Sequence, residues 1–467
     1  MHVLGILSSD LRRCLLLTVL LVGALEVDPD NPMSLKDAAS NAAYNMMTYY
    51  HANESGQIPG KLEGTWWEGG ALFMTLIQYW HWTGDETYND LVTTGMIWQS
   101  GENNDYFPAN QSNYLGNDDQ AFWALAALTA AEYKYPDVDD GPSWLSLAQA
   151  VFNDQVARWD ETTCEGGLRW QIYPYQAGFN IKNAISNGAL FQIAARLARY
   201  TLNDTYAEWA EKIWDWSSTT PLLDQSRWHI ADTTTVGTGC TDHGDYQWTY
   251  NYATYIVGAA YLYNYTNGDS KWKDGVDGLL NRTLKTFFPE EYGGNVMSET
   301  ACETVYTCDR NQICYKGFLS SWLALTAQMV PHTYGMIIPK LKASAVAAGK
   351  QCSGGRDGKH CGIQWFNSTW DGTEGLEQQM ATTSVFANNL VAFQGGFGDG
   401  GNNDSAPVTS ETGGNSASNP NAGSEEKPLE GAHTVDITTA DRAGAGIVTV
   451  VFAGAWLGMI SWLVTGP

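Results

Sequence analysis

The chain has 467 residues, and its 51 acidic against 25 basic residues give it a formal net charge of −26. This excess of negative charge argues against nucleic acids and anionic lipid headgroups as partners, whereas a neutral glycan would not be repelled. Most of the 20 Trp and 24 Tyr residues must fill a core, but sugar rings stack on aromatic side chains that remain accessible.

The first residues have the pattern of a secretory signal. Arg12 and Arg13 precede an apolar stretch over residues 14–22, and small residues at 22–24 provide a cleavage site. We therefore predict a signal peptide over residues 1–24 and a mature chain that is exported.

Between residues 34 and 391 the sequence alternates two kinds of helical segment. One kind is strongly apolar and rich in small residues, as expected of buried helices, and the other is amphipathic with its charges on one face. The apolar segments span residues 68–82, 119–133, 187–200, 252–265, 316–329 and 377–391, and the amphipathic segments span residues 34–51, 86–99, 143–159, 205–218, 270–288 and 333–348.

Six helices of each kind predict an all-α fold for residues 25–393. The simplest closed arrangement is an (α/α)6 toroid, in which six apolar inner helices are surrounded by six amphipathic outer helices. An open helical solenoid is the alternative. A solenoid would have a more constant repeat length than this chain, whose repeats vary in length and are separated by long loops.

The loops that lead from each outer helix into the next inner helix must lie at one rim of such a toroid. Aromatic and polar residues concentrate in these loops, and converging loops commonly build a binding site, so we predict the functional site at this rim. The loops span residues 60–67, 101–117, 164–186, 229–251, 292–315 and 352–376.

Two neighbouring carboxylates, Asp118 and Asp119, stand on this rim at the start of the apolar segment 119–133. Breaking a glycosidic bond requires one carboxylate at the reacting carbon and a second, protonated carboxyl at the leaving oxygen. The amides of a helix N-terminus favour the ionised form of one Asp, while the neighbouring charge raises the pKa of the other. The alternative is that Asn117 caps the helix and the two acids simply occupy its first turn.

Other aromatic and polar residues of the rim are candidates for binding a sugar. Tryptophans beside Gly-rich stretches could stack on sugar rings or plug the loops against the core, and Asn and Tyr side chains at helix starts could bind hydroxyls or cap the helices. A polar turn before the fourth inner helix could contact an acceptor sugar, and a lysine that opens the fifth needs a pairing or glycan-facing role, because a helix N-terminus disfavours a cation. The candidates for substrate binding are Trp66, Trp67, Asn117, Trp170, Asn187, Asp242, His243, Asp245, Tyr250, Asn251 and Lys316.

An exported chain with eight cysteines is expected to contain disulfide bonds. Cys14 leaves with the signal peptide, so seven remain and one thiol stays free. The spacing of Cys and His indicates no metal site, and we expect neither a metal nor a cofactor. The predicted pairs are Cys352 with Cys361, Cys308 with Cys314 and Cys164 with Cys240.

Seven Asn-x-Ser/Thr sequons agree with passage through a eukaryotic secretory pathway. The candidate glycosylation sites are Asn53, Asn110, Asn203, Asn264, Asn281, Asn367 and Asn403.

The C-terminal part of the chain is predicted to be a tether followed by a lipid-anchor signal. Residues 394–436 are rich in Gly, Asn, Ser and Glu and have too little apolar surface to fold. Residues 447–464 form an uncharged apolar run without a basic flank, and small residues precede it, as in a glycosylphosphatidylinositol (GPI) attachment signal. We predict such a signal over residues 437–467, with attachment between 431 and 443, which would hold the protein at the outer face of the plasma membrane or in the cell wall. A membrane span is the alternative.

Four short motifs together resemble glycoside hydrolase family 76, and within it the fungal cell-wall members. The motifs are Asn117-Asp118-Asp119-Gln120, Asn-Ala-Ile-Ser-Asn at 183–187, Trp-Thr-Tyr-Asn at 248–251 and Tyr-Lys-Gly at 315–317. The resemblance covers residues 34–393 and implies the (α/α)6 fold and endo-action on α-1,6-linked mannose with retention of configuration. It also implies that Asp118 is the nucleophile and Asp119 the general acid/base.

The resemblance further implies a transglycosidase whose donor is the mannose core of a lipid-anchored glycoprotein and whose acceptor is wall glucan. One residue departs from the family pattern: Tyr252 follows Asn251 where bacterial relatives tend to carry Gln and Gly, so subsite contacts there are expected to differ. The alternatives are a non-catalytic glycan-binding wall protein and an inverting hydrolase or lyase on the same fold.

Overall fold

The computed structural model describes residues 24–394 and 406–424 and, between 449 and 466, single residues and one short helical stretch. Nearly all of the predicted signal peptide and most of the predicted C-terminal signal lie outside the described residues. Among the helices that are described, none combines the length and the apolar character needed to cross a membrane.

Twelve α-helices lie within residues 24–394, at the places where the alternating pattern predicts them. The six inner helices are α2 (Trp67–Thr83), α4 (Asn117–Glu132), α6 (Ala184–Thr201), α8 (Thr249–Tyr265), α10 (Arg310–Met329) and α12 (Leu376–Asn388). The six outer helices are α1 (Pro32–Met47), α3 (Asn89–Gln99), α5 (Trp144–Ala157), α7 (Asp204–Ser218), α9 (Ser270–Phe287) and α11 (Tyr334–Lys350).

Contacts between the inner helices close into a ring. Helix α2 packs on α4, α4 on α6, α6 on α8, α8 on α10, α10 on α12, and α12 returns to α2. On helix α4 every residue from Gln120 to Glu132 is buried, because its many alanines let neighbouring helices approach from all sides. The predicted all-α toroid is therefore confirmed, and the open solenoid is excluded because its terminal repeats would not meet.

Four of the outer helices begin with a side chain that caps the helix N-terminus. Asn31, Ser143, Asn203 and Asp269 each accept a hydrogen bond from a backbone N–H of the helix that follows, which satisfies a donor that the helix itself leaves unpaired. The cap fixes the residue at which each of these four helices begins.

Three disulfide bonds lie in the rim loops. The predicted pairs Cys164–Cys240 and Cys352–Cys361 are present, with Cα atoms 5.8 and 3.8 Å apart. The predicted pair Cys308–Cys314 is wrong, because Cys308 pairs with Cys302 instead. Cys314 lies in the second turn of α10 with its thiol buried and free, and this is the one unpaired thiol expected from the odd count.

Residues 406–424, which we call the C-terminal strap, lie against the outside of the toroid although composition assigned them to a tether. The Val408 amide donates to the Glu132 carbonyl, and the Leu145 amide donates to the Ser416 hydroxyl. The strap is held by hydrogen bonds rather than by a large apolar surface. Its low hydrophobicity therefore gave the wrong expectation for these residues.

Candidate active site

A cavity of about 700 Å³ opens at the rim formed by the N-terminal ends of the inner helices. Five of the six predicted rim loops contribute to its lining, and only the loop over residues 352–376 does not. Its aromatic and carboxylate side chains are Trp66, Trp67, Tyr114, Phe122, Trp170, Tyr250, Tyr315, Asp118, Asp119 and Asp232.

Asp118 and Asp119 line this cavity side by side in the first turn of α4. The Asp119 Oδ2 atom accepts a hydrogen bond from the Gly116 amide at 2.7 Å, and the Asp118 Oδ1 atom accepts one from the Asp119 amide at 3.1 Å. The Asn183 side-chain amide lies 3.5 Å from Asp118 Oδ2. Each carboxylate is thus oriented by a backbone amide at the start of the helix while it faces the cavity.

Both carboxyls have raised pKa values, and burial is the main cause. Burial raises the pKa of Asp118 well above its usual range, and the negative charge of Asp119 adds to this effect. Burial raises the pKa of Asp119 to about 6, against the hydrogen bond from Gly116, which lowers it. The two carboxyls are adjacent, so they titrate as a pair in which the charge of one disfavours ionisation of the other. Glycosyl chemistry requires the state in which such a pair holds one proton.

A third carboxylate of the cavity, Asp232, was missed by the sequence analysis. Asp232 precedes the short strand β2 (Thr233–Thr235), which pairs antiparallel with β1 (Ile181–Asn183). Burial raises its pKa, although hydrogen bonds from Asn251 and Trp248 lower it in part. Only this strand pairing brings Asp232 next to Asn183, and a three-residue strand leaves no pattern that sequence reading could detect.

Asn251 acts through Asp232. Its side chain is buried, and its amide donates to Asp232 Oδ1 at 2.9 Å. The residue was predicted to bind substrate directly, but it holds a carboxylate that lines the cavity.

Trp67, Trp170 and Tyr250, which were predicted to bind sugar, line the cavity. The Tyr250 ring stacks on Tyr315, with ring centres 3.8 Å apart and planes 5° from parallel. The Trp67 Nε1 atom donates to the Asn311 side chain at 3.2 Å. These rings form an aromatic wall beside the carboxylates, the surface that an apolar sugar face stacks on.

Trp66 touches the cavity but belongs mainly to the core. It is only 8% exposed, its Nε1 atom donates to the Gln99 side chain at 2.6 Å, and its ring packs against Trp123. The sequence left two roles open for Trp66, stacking on a sugar ring or plugging the loop against the core. Its small exposed fraction and its contacts inside the protein favour the second role.

Two predicted binding residues, Asn117 and Asn187, lie inside the protein and away from the cavity. The Asn117 side chain donates to the Arg169 carbonyl and accepts from Arg158, and Gly116 rather than Asn117 is the N-cap of α4. The Asn187 side chain accepts from the Leu168 amide and donates to the Leu168 carbonyl. Both side chains hold rim loops in place, a role that differs from the predicted contact with sugar.

Lys316 also lies in the core instead of facing a glycan. Its ammonium group is 2.8 Å from the Glu303 carboxylate and 3.9 Å from the centre of the Trp365 ring. The expectation that Lys316 opens its helix is wrong, because α10 begins at Arg310 and Lys316 lies in its second turn. A buried cation is tolerated only when it is paired, and this ion pair explains the lysine.

The polar turn with Asp242, His243 and Asp245 lies outside the catalytic cavity. Despite partial burial, hydrogen bonds from Thr238 and Thr235 lower the pKa of Asp242 to about 2, so this carboxylate holds its own turn. His243 and Asp245 form an exposed pair at 2.9 Å and border a second cavity of about 580 Å³. The contact of this turn with an acceptor sugar stays a prediction.

In the described ranges, no group of three or more His, Cys, Asp and Glu side chains is placed to hold a metal ion. The groups that the cavity offers for chemistry are the adjacent carboxylates Asp118 and Asp119, a third carboxylate nearby and an aromatic wall. This arrangement suits the breaking and making of glycosidic bonds.

Comparison with known proteins agrees with this chemistry. The model of the family described as glycosyl hydrolase family 76 matches residues 34–397. The mannan endo-1,6-alpha-mannosidase DCW1 of Saccharomyces cerevisiae is 42% identical over 445 residues, which cover 94% of this chain and 95% of that protein. The mannan endo-1,6-alpha-mannosidase DFG5 of the same yeast is 37% identical over 450 residues, 94% of each chain.

Solved structures of other proteins are also similar to this chain. The crystal structure of Dfg5 from Chaetomium thermophilum in complex with glucosamine is similar with a TM-score of 0.79 and 42% identity, covering 85% of this chain and 97% of that one. An inactive variant of the alpha-1,6-mannanase of Salegentibacter in complex with alpha-1,6-mannotriose shares the fold at a TM-score of 0.61 and 18% identity, covering 76% of this chain and 99% of that one. The chain described here belongs to glycosyl hydrolase family 76.

Proposed function

We propose that this protein is an endo-acting, retaining α-1,6-mannosidase that also transfers the glycosyl group it cleaves. The observation that carries the proposal is that Asp118 and Asp119 lie side by side in an aromatic-lined cavity, where burial raises the pKa of both carboxyls. Relatives that match nearly the whole chain are named mannan endo-1,6-alpha-mannosidases, and this supports α-1,6-linked mannose as the substrate.

In the proposed reaction, an Asp118 carboxylate oxygen bonds to the anomeric carbon of a mannose as the bond from that carbon to the leaving oxygen breaks. Asp119 gives its proton to the leaving oxygen, the O6 atom of the next mannose. In the second step Asp119 takes a proton from an incoming hydroxyl, whose oxygen displaces Asp118. Two inversions at the same carbon retain its configuration.

The incoming hydroxyl belongs either to water or to a sugar, and we propose a wall glucan as the physiological acceptor. The aromatic wall of Trp67, Tyr250 and Tyr315 supports this choice, because an acceptor sugar that stacks there would occupy the position at which water would otherwise attack. The donor proposed is the mannose core of a GPI-anchored glycoprotein. The signal and lipid-anchor patterns at the two ends of the sequence support a location at the outer face of the plasma membrane or in the cell wall.

The proposal is tested by incubating the purified protein with α-1,6-mannotetraose, with and without a short β-glucan, and following products by mass spectrometry and NMR. We expect initial products with the α-anomeric configuration and, with the glucan present, a product of the summed mass of mannose fragment and glucan. Initial β-anomers would contradict retention. Binding of the oligosaccharide without any cleavage would instead favour the non-catalytic glycan-binding alternative.

A further inference from the structure

One of the seven sequons lies at the catalytic cavity. Asn110, in the sequence Asn110-Gln111-Ser112, lines the same cavity as Asp118 and Asp119. Its side chain is exposed, as required of an acceptor for N-linked glycosylation.

The other sequons that the structure describes differ from Asn110 in burial, bonding or position. Asn203 caps α7, Asn264 accepts a hydrogen bond from Arg199 and Asn367 donates one to Gln364, so these side chains are already engaged. Asn53 and Asn281 are exposed like Asn110 but do not line the cavity. Asn403 lies outside the described residues.

The loop that carries Asn110 presents it at the edge of the cavity. The Pro108 carbonyl accepts hydrogen bonds from the amides of Gln111 and Ser112, so the chain makes a tight turn with Asn110 near its tip. Tyr114, four residues later, is 80% exposed and lines the same cavity. The turn and the exposed tyrosine form one lip of the opening, which we call the Asn110 lip (residues 108–115).

A glycan on Asn110 would change the shape of the opening on that side only. An N-linked glycan is bulky and strongly hydrated, and its first sugar would stand directly on the Asn110 lip. Trp67 and Asn311 line the cavity from the loops over residues 60–67 and 292–315, and neither loop contains a sequon, so a substrate could still enter past these loops. A long mannan chain, which must leave the cavity on both sides of the cleaved bond, would meet the glycan where a short oligosaccharide would not.

We propose that Asn110 carries an N-linked glycan that narrows the catalytic cavity at the Asn110 lip, so that the enzyme prefers short mannose glycans over the interior of long mannan chains. The inference rests on the proposed function for the identity of the substrate and on the predicted export for the modification itself. It assigns a modification site to the catalytic cavity and a role in substrate selection to that modification.

The test uses the full chain secreted from a eukaryotic host, with glycopeptide mass spectrometry at Asn110 and rates on α-1,6-mannotetraose and on polymeric α-1,6-mannan. Ser112→Ala removes the sequon but leaves the asparagine, and Ser112→Thr keeps the sequon. We expect wild type and Ser112→Thr to carry the glycan. Ser112→Ala is expected to lack the glycan. In this variant, the ratio of the rate on polymeric mannan to the rate on mannotetraose is expected to rise about tenfold.

Two controls separate this effect from others. Ser55→Ala removes the exposed sequon at Asn53, which lies away from the cavity, and should leave the ratio of the two rates unchanged. Enzymatic removal of N-glycans from the folded wild-type protein should reproduce the change seen with Ser112→Ala, without any substitution in the loop.

An unmodified Asn110 in an active wild-type enzyme would overturn the inference, and so would a modified Asn110 whose removal leaves the ratio of rates unchanged. Failure of the wild-type enzyme to cleave mannotetraose, by contrast, would contradict the proposed function. The occupancy of Asn110 would still be read from the glycopeptide.

Discussion

Both ends of helix α4 carry carboxylates, buried at the C-terminal end and half-buried beside the cavity at the N-terminal end, and the protein surrounds them in opposite ways. At the C-terminal end, Glu132 receives hydrogen bonds from Arg196 at 3.1 and 2.8 Å and from the Tyr261 hydroxyl at 2.8 Å. At the N-terminal end, Asp118 and Asp119 receive backbone amides, and no Lys or Arg in the described part of the chain is among the groups that shift their pKa values.

This difference separates a structural carboxylate from a reactive one. Although burial lowers the pKa of Arg196, the charge of Glu132 raises it further, so the guanidinium stays charged and is paired with Glu132 inside the protein. The Asp pair has no counter-charge, so it retains a proton that it can donate and a carboxylate that can attack. The same helix thus ties the ring together at one end and presents the chemistry at the other.

The largest effect is expected from Asp118→Asn, which removes the proposed nucleophile but keeps the shape of the side chain. We expect the turnover rate on α-1,6-mannotetraose to fall about 10⁴-fold or more. The free energy of unfolding should stay the same or rise at pH 7, because a repulsive buried charge is lost. The matched control is Asp274→Asn, an exposed aspartate on the outer helix α9 and outside the cavity, which should change neither quantity appreciably. Comparable activity of Asp118→Asn and wild type would contradict the assigned role.

The opposite pattern is expected at the other end of α4. Arg196→Met leaves Glu132 buried without its partner and should lower the free energy of unfolding by about 3–5 kcal/mol, measured by chemical denaturation. The turnover rate of the molecules that remain folded should be unchanged. Arg227→Met, which breaks a largely exposed pair with Asp224, should cost only about 0–1 kcal/mol. If the two variants lost the same free energy of unfolding, burial of the Arg196–Glu132 pair would not matter for stability, and the prediction would be wrong.

The pH dependence sharpens the comparison further. Because the pKa of Asp119 is raised to about 6, activity should fall as the pH rises through about 6 and the acid loses its proton. The ordinary pKa of an aspartate is 3.8, so at a pH between 3.8 and about 6 Asp119 is protonated more often in the folded state than in the unfolded state. The stability contributed by this group is therefore fully present below pH 3.8 and is lost as the pH rises through about 6.

The measurement is a pH profile of turnover and of the free energy of unfolding for wild type and Asp119→Asn. The variant should lose the stability change between pH 3.8 and about 6. Asp160 provides the contrast. Its pKa is lowered despite burial, by hydrogen bonds from Thr162 and Thr163 and by the charge of Lys182, so its contribution is lost on acidification instead. A wild-type profile that shows no fall in activity above pH 6 would contradict the assignment of Asp119 as the acid.

The smallest effect concerns the C-terminal strap near the Glu132 end of α4. Ser416→Ala removes the hydroxyl that accepts from the buried Leu145 amide at 3.0 Å and should lower the free energy of unfolding by about 1–3 kcal/mol. Activity should not change, because the strap does not line the catalytic cavity. Ser424→Ala, near the exposed end of the strap, is the control and is expected to have an effect within about 0.5 kcal/mol.

Much of this molecule was predictable because the signals are local or periodic. Twelve helices follow from hydrophobic patterns that repeat every three to four residues, and the Asp pair stands out because both acids adjoin an apolar helix. By contrast, Lys316 and Asn187 have rim positions in the sequence but point inward, and Asp232 enters the site only through a three-residue strand pair. The direction of a side chain near a helix start depends on which neighbour offers a partner, and that neighbour is distant in sequence.

By itself, the sequence determined the alternation of buried and half-exposed helices, the rim on which the chemistry lies and the two acids that open α4, because burial and capping act over a few residues. Only the tertiary structure decided which buried charges are neutralised. Glu132 meets Arg196 from α6 and Lys316 meets Glu303 from a rim loop, whereas among the described residues no Lys or Arg is paired with Asp118 or Asp119. Electrostatic partners are set by three-dimensional proximity, and that proximity exists only once the ring has closed.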